Sequence, residues 1–258
     1  MSTSPLVTYT RISPNRTSPR NHAIDRITIH CYVGQVAAER GCSGARFTTY
    51  DPVGGASCNY VVGCDGSIGL CVPESDRSWC SSNRANDHRA VTIETASGTV
   101  HPYSVTEAAY SALLDLVTDI CRRNGKRKLL WLEDKAKALA YMPAADEMVL
   151  TVHRWFAAKA CPGQYLLERH GKIAAEVTRR LQEEVDDMTE DQIRKIVRDE
   201  WAKLEAERAA QEATMPELVA DAVALGISAD GSRPRALMTR EEGMVMARAA
   251  VRAATGQR

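Results

Sequence analysis

The sequence predicts an α/β domain with a mixed central sheet flanked by helices, followed by a small all-α region at the C-terminus. Short β-branched runs alternate with segments of helical periodicity as far as residue 184, which is typical of a sheet covered by helices. The acidic stretch 183–187 marks the end of this domain. Beyond it, apolar residues recur at helical spacing only, which indicates helices without a sheet.

The composition limits the possible functions. A chain of 258 residues, 44% hydrophobic and 26% charged, can form one large domain and a small one. Its 33 basic and 33 acidic side chains balance, so charge gives no indication of nucleic-acid or anionic-membrane binding. No apolar run reaches the roughly 18 residues of a membrane span, and the polar N-terminus lacks a signal-peptide pattern. We therefore expect synthesis in the cytoplasm and no membrane insertion.

The cysteine pattern argues against a disulfide framework. Eight cysteines are present, and no two of them form a C-x-x-C pair. Such a number suits a disulfide scaffold in a short secreted protein, whereas this chain is long and shows no secretion signal. We expect thiols rather than structural disulfides.

The first quarter of the chain is predicted to hold one strand and a long loop. Residues 1–25 are an extended lead-in rich in proline and serine, and residues 26–33 form a β-branched strand. Residues 34–56 contain several glycines and little periodicity, which indicates a long loop with one helical turn. A loop of this length is typical of a substrate-groove wall.

A hairpin and a further strand are predicted next. Residues 58–64 and 68–72 alternate in polarity on either side of the turn Asp65-Gly66, which is typical of a hairpin. Residues 90–95, with the sequence AVTIET, are a β-branched run of strand length.

The rest of the domain is predicted to contain two helices and a last strand. Ser104-Val105-Thr106-Glu107 is a capping box that begins a helix, and Gly125 ends it. Residues 148–152 form the last strand, and residues 165–184 are helical again.

Two regions follow the α/β domain, which is predicted over residues 1–184. Residues 185–213 predict a charged helical linker, capped by Thr189-Glu190-Asp191-Gln192, with a solvated polar face. Residues 214–258 predict a small helix-loop-helix unit. So small a unit needs a partner, which is either a second copy of itself or the main domain.

The stretch TVHRWFAAKACPGQ (151–164) predicts a metal site. His153, Lys159 and Cys161 follow one another at spacings of six and two. Imidazole and thiolate are zinc ligands. We expect the Lys159 ammonium, two residues from the Cys161 thiolate, to lower the pKa of that thiol and to face the molecule bound to the metal. His30, at the end of the strand 26–33, is the candidate third ligand. Three ligands leave a tetrahedral position open for water, which is the catalytic pattern.

Each candidate ligand also has a purely structural interpretation. His30 and His153 could be core histidines with satisfied hydrogen bonds, and Cys161 a small buried apolar residue. This interpretation is favoured for any one of them alone. When the three residues are considered together with Lys159 and Pro162-Gly163, the interpretation as a metal site is favoured.

Four stretches, spread over nearly all of residues 5–183, carry a resemblance to a known family. They are ITIHC (27–31), SCNYVVGCDG (57–66), NRANDHRAVTIE (83–94) and HRWFAAKACPG (153–163). In this order they resemble the zinc-dependent N-acetylmuramoyl-L-alanine amidases of the phage lysozyme and peptidoglycan-recognition-protein type. The resemblance implies the type 2 amidase fold.

The resemblance implies a role for five residues. His30, His153 and Cys161 would bind one zinc ion per chain, Glu94 would be the general base, and Lys159 would stabilise the oxyanion. Cleaving an amide needs a nucleophile stronger than water, and zinc lowers the pKa of a bound water to about 7. The structural alternatives are a surface strand residue for Glu94 and a solvated lysine for Lys159.

The chain also departs from the family. Relatives carry a tyrosine before the His or Asn of the hairpin motif, whereas this chain has Cys58, which we do not predict to be catalytic. Cys31 follows His30 on a strand and must face the opposite way, so we exclude it as a ligand. Trp79, Arg84 and Asn86 are candidates for lining a glycan or peptide groove. His101 resembles the family's pattern but has no ligand partner in the sequence.

The resemblance implies a peptidoglycan hydrolase that acts as an endolysin on the bacterial cell wall after holin-type or lytic release. The competing interpretation is a peptidoglycan-recognition module that binds without turnover, and Cys161 favours the enzyme because recognition proteins can dispense with the zinc thiolate. Residues 215–242 resemble a single surface-layer-homology repeat. This implies wall binding, with formation of homo-oligomers through the C-terminal helices as the alternative.

Overall fold

A mixed seven-stranded sheet forms the centre of the structure, a computed structural model that describes residues 3–186, 198–199, 201–206 and 208–209. The strands are β1 (Tyr9–Thr10), β2 (Arg16–Thr17), β3 (Arg26–Val33), β4 (Tyr60–Val62), β5 (Ile68–Leu70), β6 (Arg77–Ser78), β7 (Ala90–Ser97), β8 (Lys128–Leu130) and β9 (Glu147–Thr151). Their order in the sheet is β1-β5-β4-β7-β3-β9-β8, while β2 and β6 form a separate antiparallel pair. Only β4 and β5 pair antiparallel within the large sheet.

Helices flank this sheet, as the sequence predicted. They are α1 (Ala38–Cys42), α2 (Ala45–Thr48), α3 (Arg84–Arg89), α4 (Glu107–Arg123), α5 (Lys135–Ala140), α6 (Gly163–Leu167) and α7 (His170–Asp186). A 3₁₀ turn, His153–Trp155, follows β9. In the part of the chain that the structure describes, no helix is long and apolar enough to cross a membrane.

Alternation along the central strands divides the sheet into two faces. Ile27 and Ile29 of β3 are fully buried in a core cluster that also contains the apolar faces of α4 and α7. Thr28 and His30 must then point to the other face, because successive side chains of a strand alternate. One face of the sheet therefore builds the core, and the other carries buried polar side chains.

The central predicted elements are confirmed. The strand predicted over residues 26–33 is β3, and the predicted hairpin is the antiparallel pair β4 and β5. The strand predicted from residue 90 is β7, which runs two residues further than expected, to Ser97. Burial on both sides makes β3 and β7 recognisable, because continuous apolar and β-branched runs are typical of central strands.

Several boundaries differ from the prediction. The helix α4 is capped by Thr106 rather than Ser104, because the Thr106 hydroxyl accepts a hydrogen bond from the Ala109 amide at 3.1 Å. The helix predicted over residues 165–184 is two helices, α6 and α7, which are separated at residues 168–169. The lead-in is not merely extended, since its strand β1 extends the sheet beside β5.

The chain divides into two units, Met1–Glu184 and Val185–Arg258. The predicted linker, residues 185–213, lies mostly outside the described residues, and the predicted C-terminal unit, residues 214–258, lies wholly outside them. Their predicted roles therefore stay predictions.

A buried histidine at the start of α7 is expected to make stability depend on pH. The His170 ring is fully buried, its Nδ1 atom lies 2.7 Å from the Leu166 carbonyl oxygen, and its centroid is 4.7 Å from the Trp131 ring. Burial lowers the pKa of His170 to about 4. The neutral ring is therefore favoured in the folded state, and its contribution to stability is present above pH 6.5 and lost as the pH falls towards 4.

We expect His170→Gln to remove this pH dependence. Between pH 6.5 and pH 4 the wild type should lose about 3 kcal/mol more of its free energy of unfolding than the variant. Urea unfolding of both proteins across this range, in metal-free buffer, measures the difference. Equal slopes of unfolding free energy against pH would contradict the assignment.

Candidate metal centre

Three neighbouring parallel strands place the predicted site residues at one edge of the sheet. His30 lies near the carboxyl end of β3, directly opposite Glu94 of β7. His153 follows β9, which pairs with β3 on its other side. Because the carboxyl ends of parallel strands meet at one edge, residues distant in the chain converge here.

The structure brings the three predicted metal ligands together. The ligand atoms of His30, His153 and Cys161 all lie within 4.8 Å of one another. His30 Nδ1 is 3.2 Å from Cys161 Sγ, and the centroids of the two imidazole rings are 5.0 Å apart. Tetrahedral zinc with Zn–N near 2.0–2.1 Å and Zn–S near 2.3 Å separates its ligand atoms by about 3.3–3.6 Å. The cluster fits a metal ion of this kind with a small adjustment.

The electrostatic state of His30 suits a metal ligand. Its side chain is fully buried, and burial together with the positive charge of His153 lowers its pKa well below the ordinary value. Its Nε2 atom is buried and has no hydrogen-bond partner among the described residues. A neutral imidazole is the form that binds a metal.

His153 contacts Ser82, a residue that the sequence analysis did not predict to belong to the site. Ser82 Oγ lies 3.0 Å from His153 Nε2, and Ser82 adopts a positive φ of 59°. A hydrogen bond from one ring nitrogen is the usual way to orient a metal-ligating histidine through the other. Burial and the nearby charge of Lys159 lower the pKa of His153.

Cys161 lies between two elements and contacts a second thiol. Its pKa is raised by a hydrogen bond with Cys31 and by burial, so the expectation that Lys159 lowers the pKa of this thiol is wrong. Cys31 belongs to neither potential ligand cluster among the described residues. A thiol in this state must lose its proton before it can bind a metal, so metal binding releases a proton at neutral pH.

Glu94 lies beside the ligand cluster rather than within it. With His30 and Cys80 it forms a second group whose ligand atoms lie within 4.8 Å of one another. Cys80 Sγ donates to Glu94 Oε1 at 3.8 Å, and Glu94 Oε2 is buried without a partner among the described residues. Burial, with a smaller effect of the Cys31 charge, raises the pKa of Glu94 to about 8. This carboxyl group can therefore hold and release a proton near neutral pH.

Lys159 lies in an exposed loop at the edge of the site, and its charge acts on His153. Arg154 of the 3₁₀ turn stabilises this loop through two hydrogen bonds. Its amide donates to the Cys161 carbonyl at 3.2 Å, and its guanidinium donates to the Ala160 carbonyl at 2.7 Å. The loop that carries Lys159 and Cys161 is thus tied back to the 3₁₀ turn that carries His153.

A comparison with protein families shows which family the chain belongs to. The family model of N-acetylmuramoyl-L-alanine amidase matches residues 20–164, which is more than half of the chain. The chain belongs to this family. The matched residues of this amidase-family chain include the whole ligand cluster and Glu94.

Solved structures similar to this amidase-family chain share little sequence with it. A selenomethionine derivative of AmpD is 19% identical with a TM-score of 0.43, covering 64% of this chain and 93% of that one. The endolysin LysCS from Clostridium intestinale URNW is 15% identical with a TM-score of 0.41, covering 65% and 96%. Human PGRP-IBETAC in complex with glycosamyl muramyl pentapeptide is 18% identical with a TM-score of 0.43, covering 64% and 94%. A comparison with curated proteins found no match.

In this amidase-family chain, Cys58 and its strand neighbour Tyr60 lie outside both potential ligand clusters of the described residues. Cys58 is fully buried in a small apolar cluster with Cys42, Cys71 and Val61. Tyr60 points to the opposite face, where its hydroxyl donates to Glu74 at 2.6 Å. All eight cysteines are free thiols.

The predicted groove residues have different environments. Trp79 is half-buried, and its indole nitrogen donates to Thr17 at 3.1 Å. Arg84 and His101 are exposed, and neither belongs to a ligand cluster in the described ranges. Asn86 is buried and donates to Thr28 at 2.9 Å. Asn86 thus supports the polar face of the sheet.

Proposed function

We propose that the chain is a peptidoglycan hydrolase that cleaves the amide bond between N-acetylmuramic acid and L-alanine of the stem peptide. The observation that carries this proposal is the convergence of His30, His153 and Cys161 beside the half-buried Glu94, whose Oε2 atom is buried. Two nitrogens and one sulfur are the donor set of an open zinc site. In this proposal each chain binds one zinc ion through these residues.

Zinc bound at this site would supply Lewis-acid chemistry, activating a water molecule and polarising the scissile carbonyl. The chain's own residues would do the rest. His30 and His153 would bind as neutral imidazoles, a state that burial already favours. Ser82 would orient His153, and Cys161 would bind as a thiolate after losing its proton.

Glu94 would act as the general base and then as the general acid. It would take the proton of the attacking water and deliver it to the nitrogen of the leaving L-alanine. Its raised pKa suits both steps, because a group that exchanges protons near neutral pH is the most effective catalyst there. Lys159 would donate a hydrogen bond to the carbonyl oxygen as negative charge develops on it.

The alternative function is a recognition module that binds peptidoglycan without turnover. Such a module needs a groove but neither a thiolate ligand nor a proton-transfer group. The presence of Cys161 and Glu94 at one site favours the hydrolase.

The proposal extends to partner and place of action. The substrate is bacterial peptidoglycan, and the enzyme acts on the cell wall as an endolysin, after synthesis in the cytoplasm and holin-type or lytic release. We propose that residues 214–258 add wall binding or self-association to a catalytic domain over residues 1–184, through the linker 185–213.

Digestion of purified cell walls by the full chain tests the function. The expected result is one zinc per chain and the release of new L-alanine amino termini without new reducing sugar ends. Tight wall binding with zinc but without new termini would identify a recognition module instead. New reducing ends would show that a glycosidic bond is cleaved.

A further inference from the structure

Cys31 and Cys161 form a pair of partly exposed thiols at the candidate metal centre. Cys161 Sγ lies 3.2 Å from His30 Nδ1, and the Cys161 thiol also shares a hydrogen bond with the Cys31 thiol. Successive side chains of β3 alternate, so Cys161 contacts two neighbouring side chains that leave the strand on opposite faces. The site therefore holds one thiol more than the proposed set of zinc ligands needs.

The chain that follows Cys161 packs against the Cys31 thiol. The helix α6 begins at Gly163 and contacts β3. A Cβ atom at Gly163 would lie 3.4 Å from Cys31 Sγ, which is ordinary van der Waals contact, and 2.8 Å from Tyr103 Cβ, which is a clash. Gly163 adopts a positive φ of 80° and has no side chain, so residues 161–163 can lie directly against Cys31.

Exposure distinguishes this pair from another group of contacting thiols. Cys71 shares hydrogen bonds with Cys42 and with Cys58, and all three of these side chains are fully buried. An oxidant in solution cannot reach them unless the domain unfolds. Cys31 and Cys161 are each partly exposed. Because the oxidation of a thiol depends on its accessibility, an oxidant reaches the pair rather than the buried group in the folded chain.

We propose that Cys31 and Cys161 form a reversible disulfide in the metal-free protein, and that this bond closes the site to zinc until a thiol reductant breaks it. The inference rests on the proposed function, which makes Cys161 a zinc ligand. A disulfide sulfur offers no thiolate to a metal ion, so the site falls from three ligands to two. Bound zinc has the opposite effect, because it occupies the Cys161 sulfur and protects it from oxidation.

The disulfide forms when the two Sγ atoms approach to about 2.05 Å and an oxidant accepts two electrons. With hydrogen peroxide, one thiolate attacks an oxygen atom and the O–O bond breaks. The products are a sulfenic acid and hydroxide, which takes up the proton that the thiol released. The second thiol then attacks the sulfenic sulfur, the S–O bond breaks, and the hydroxyl group leaves with the second proton as water. A dithiol reductant reverses the reaction by thiol–disulfide exchange.

Peptide mass mapping of the full chain tests the disulfide without relying on turnover. The metal-free wild type is treated briefly with an equimolar amount of hydrogen peroxide, and its remaining thiols are alkylated under denaturing conditions. We expect a linked pair of peptides that contain Cys31 and Cys161, with the loss of two of the eight free thiols. Zinc affinity should fall by more than about 100-fold, and dithiothreitol should restore it. The zinc-loaded chain should give no linked pair.

Cys64→Ser is the matched control, because it removes a partly exposed thiol between β4 and β5 that belongs to neither ligand cluster among the described residues. It should form the same linked pair, whereas Cys31→Ser should form none. Absence of the pair from the oxidised, metal-free wild type would overturn the proposal, and this measurement needs no variant. Unchanged zinc affinity of the linked chain would also overturn it. A linked chain that loses zinc, but whose reduced form releases no L-alanine termini, would support the disulfide while contradicting the amidase function.

Discussion

Replacing Cys161 by serine is expected to abolish both metal binding and wall hydrolysis. Serine keeps the size of the side chain but offers a protonated hydroxyl instead of a thiolate, so a three-ligand site falls to two strong ligands. We expect zinc affinity to fall by more than about 100-fold, because even loss of a supporting contact costs 10- to 100-fold. Zinc per chain after dialysis, and release of L-alanine termini from walls, measure the two effects.

Cys31→Ser is the matched control for this experiment. The Cys31 thiol contacts that of Cys161 but belongs to neither ligand cluster among the described residues. This variant should retain one zinc per chain and measurable hydrolysis. A Cys161→Ser protein that holds one zinc and digests walls at the wild-type rate would contradict the assignment of the ligand.

Replacing Glu94 by glutamine is expected to lower kcat/KM by about 100- to 10,000-fold while zinc stays bound. Glutamine keeps the shape of the side chain but can neither accept nor deliver the proton. Because Glu94 is not one of the three proposed ligands, metal content should not change. Turnover of a soluble muramoyl-peptide and zinc analysis on the same preparation separate the two properties.

The pH profile gives an independent test of Glu94. A general base must be deprotonated, so kcat/KM of the wild type should rise with pH through the pKa of Glu94. That pKa is raised to about 8 by burial in the metal-free protein, and a bound dication should lower it from there. The rising limb should be absent from Glu94→Gln. A variant with the same limb as the wild type would show that another group accepts the proton.

The sequence alone predicts the strands and helices whose apolar residues form long periodic patterns. The strand β3 is recognisable because a run of β-branched residues, Ile27-Thr28-Ile29, is buried on both faces of the sheet. The helix α4 is recognisable because its apolar residues recur at helical spacing, although its first residue is not. Thr106 rather than Ser104 caps the helix. Which of the two residues is the cap depends on contacts with the rest of the chain and not on the sequence of residues 104–107 alone.

Features that depend on tertiary contacts could not be predicted. The helix α3 and the pair α5 and β8 are too short to show periodicity, and they form where the sheet supports them. Ser82 has no sequence signal, because its contact with His153 joins residues 71 positions apart. Arg26 is a charged residue at the start of a strand, and its burial depends on tertiary contacts that the sequence does not show.

The candidate metal centre is assembled from β3, the 3₁₀ turn after β9 and the loop beyond it, and this has a consequence for the order of folding. His30 and Cys161 are separated by 131 positions along the chain, so the unfolded ensemble rarely brings them together. During synthesis β3 and β7 can pair early, yet three ligands exist only after the loop beyond β9 has emerged and docked. Uptake of a metal ion would therefore report the completion of folding, and a nascent or truncated chain would be unable to retain one.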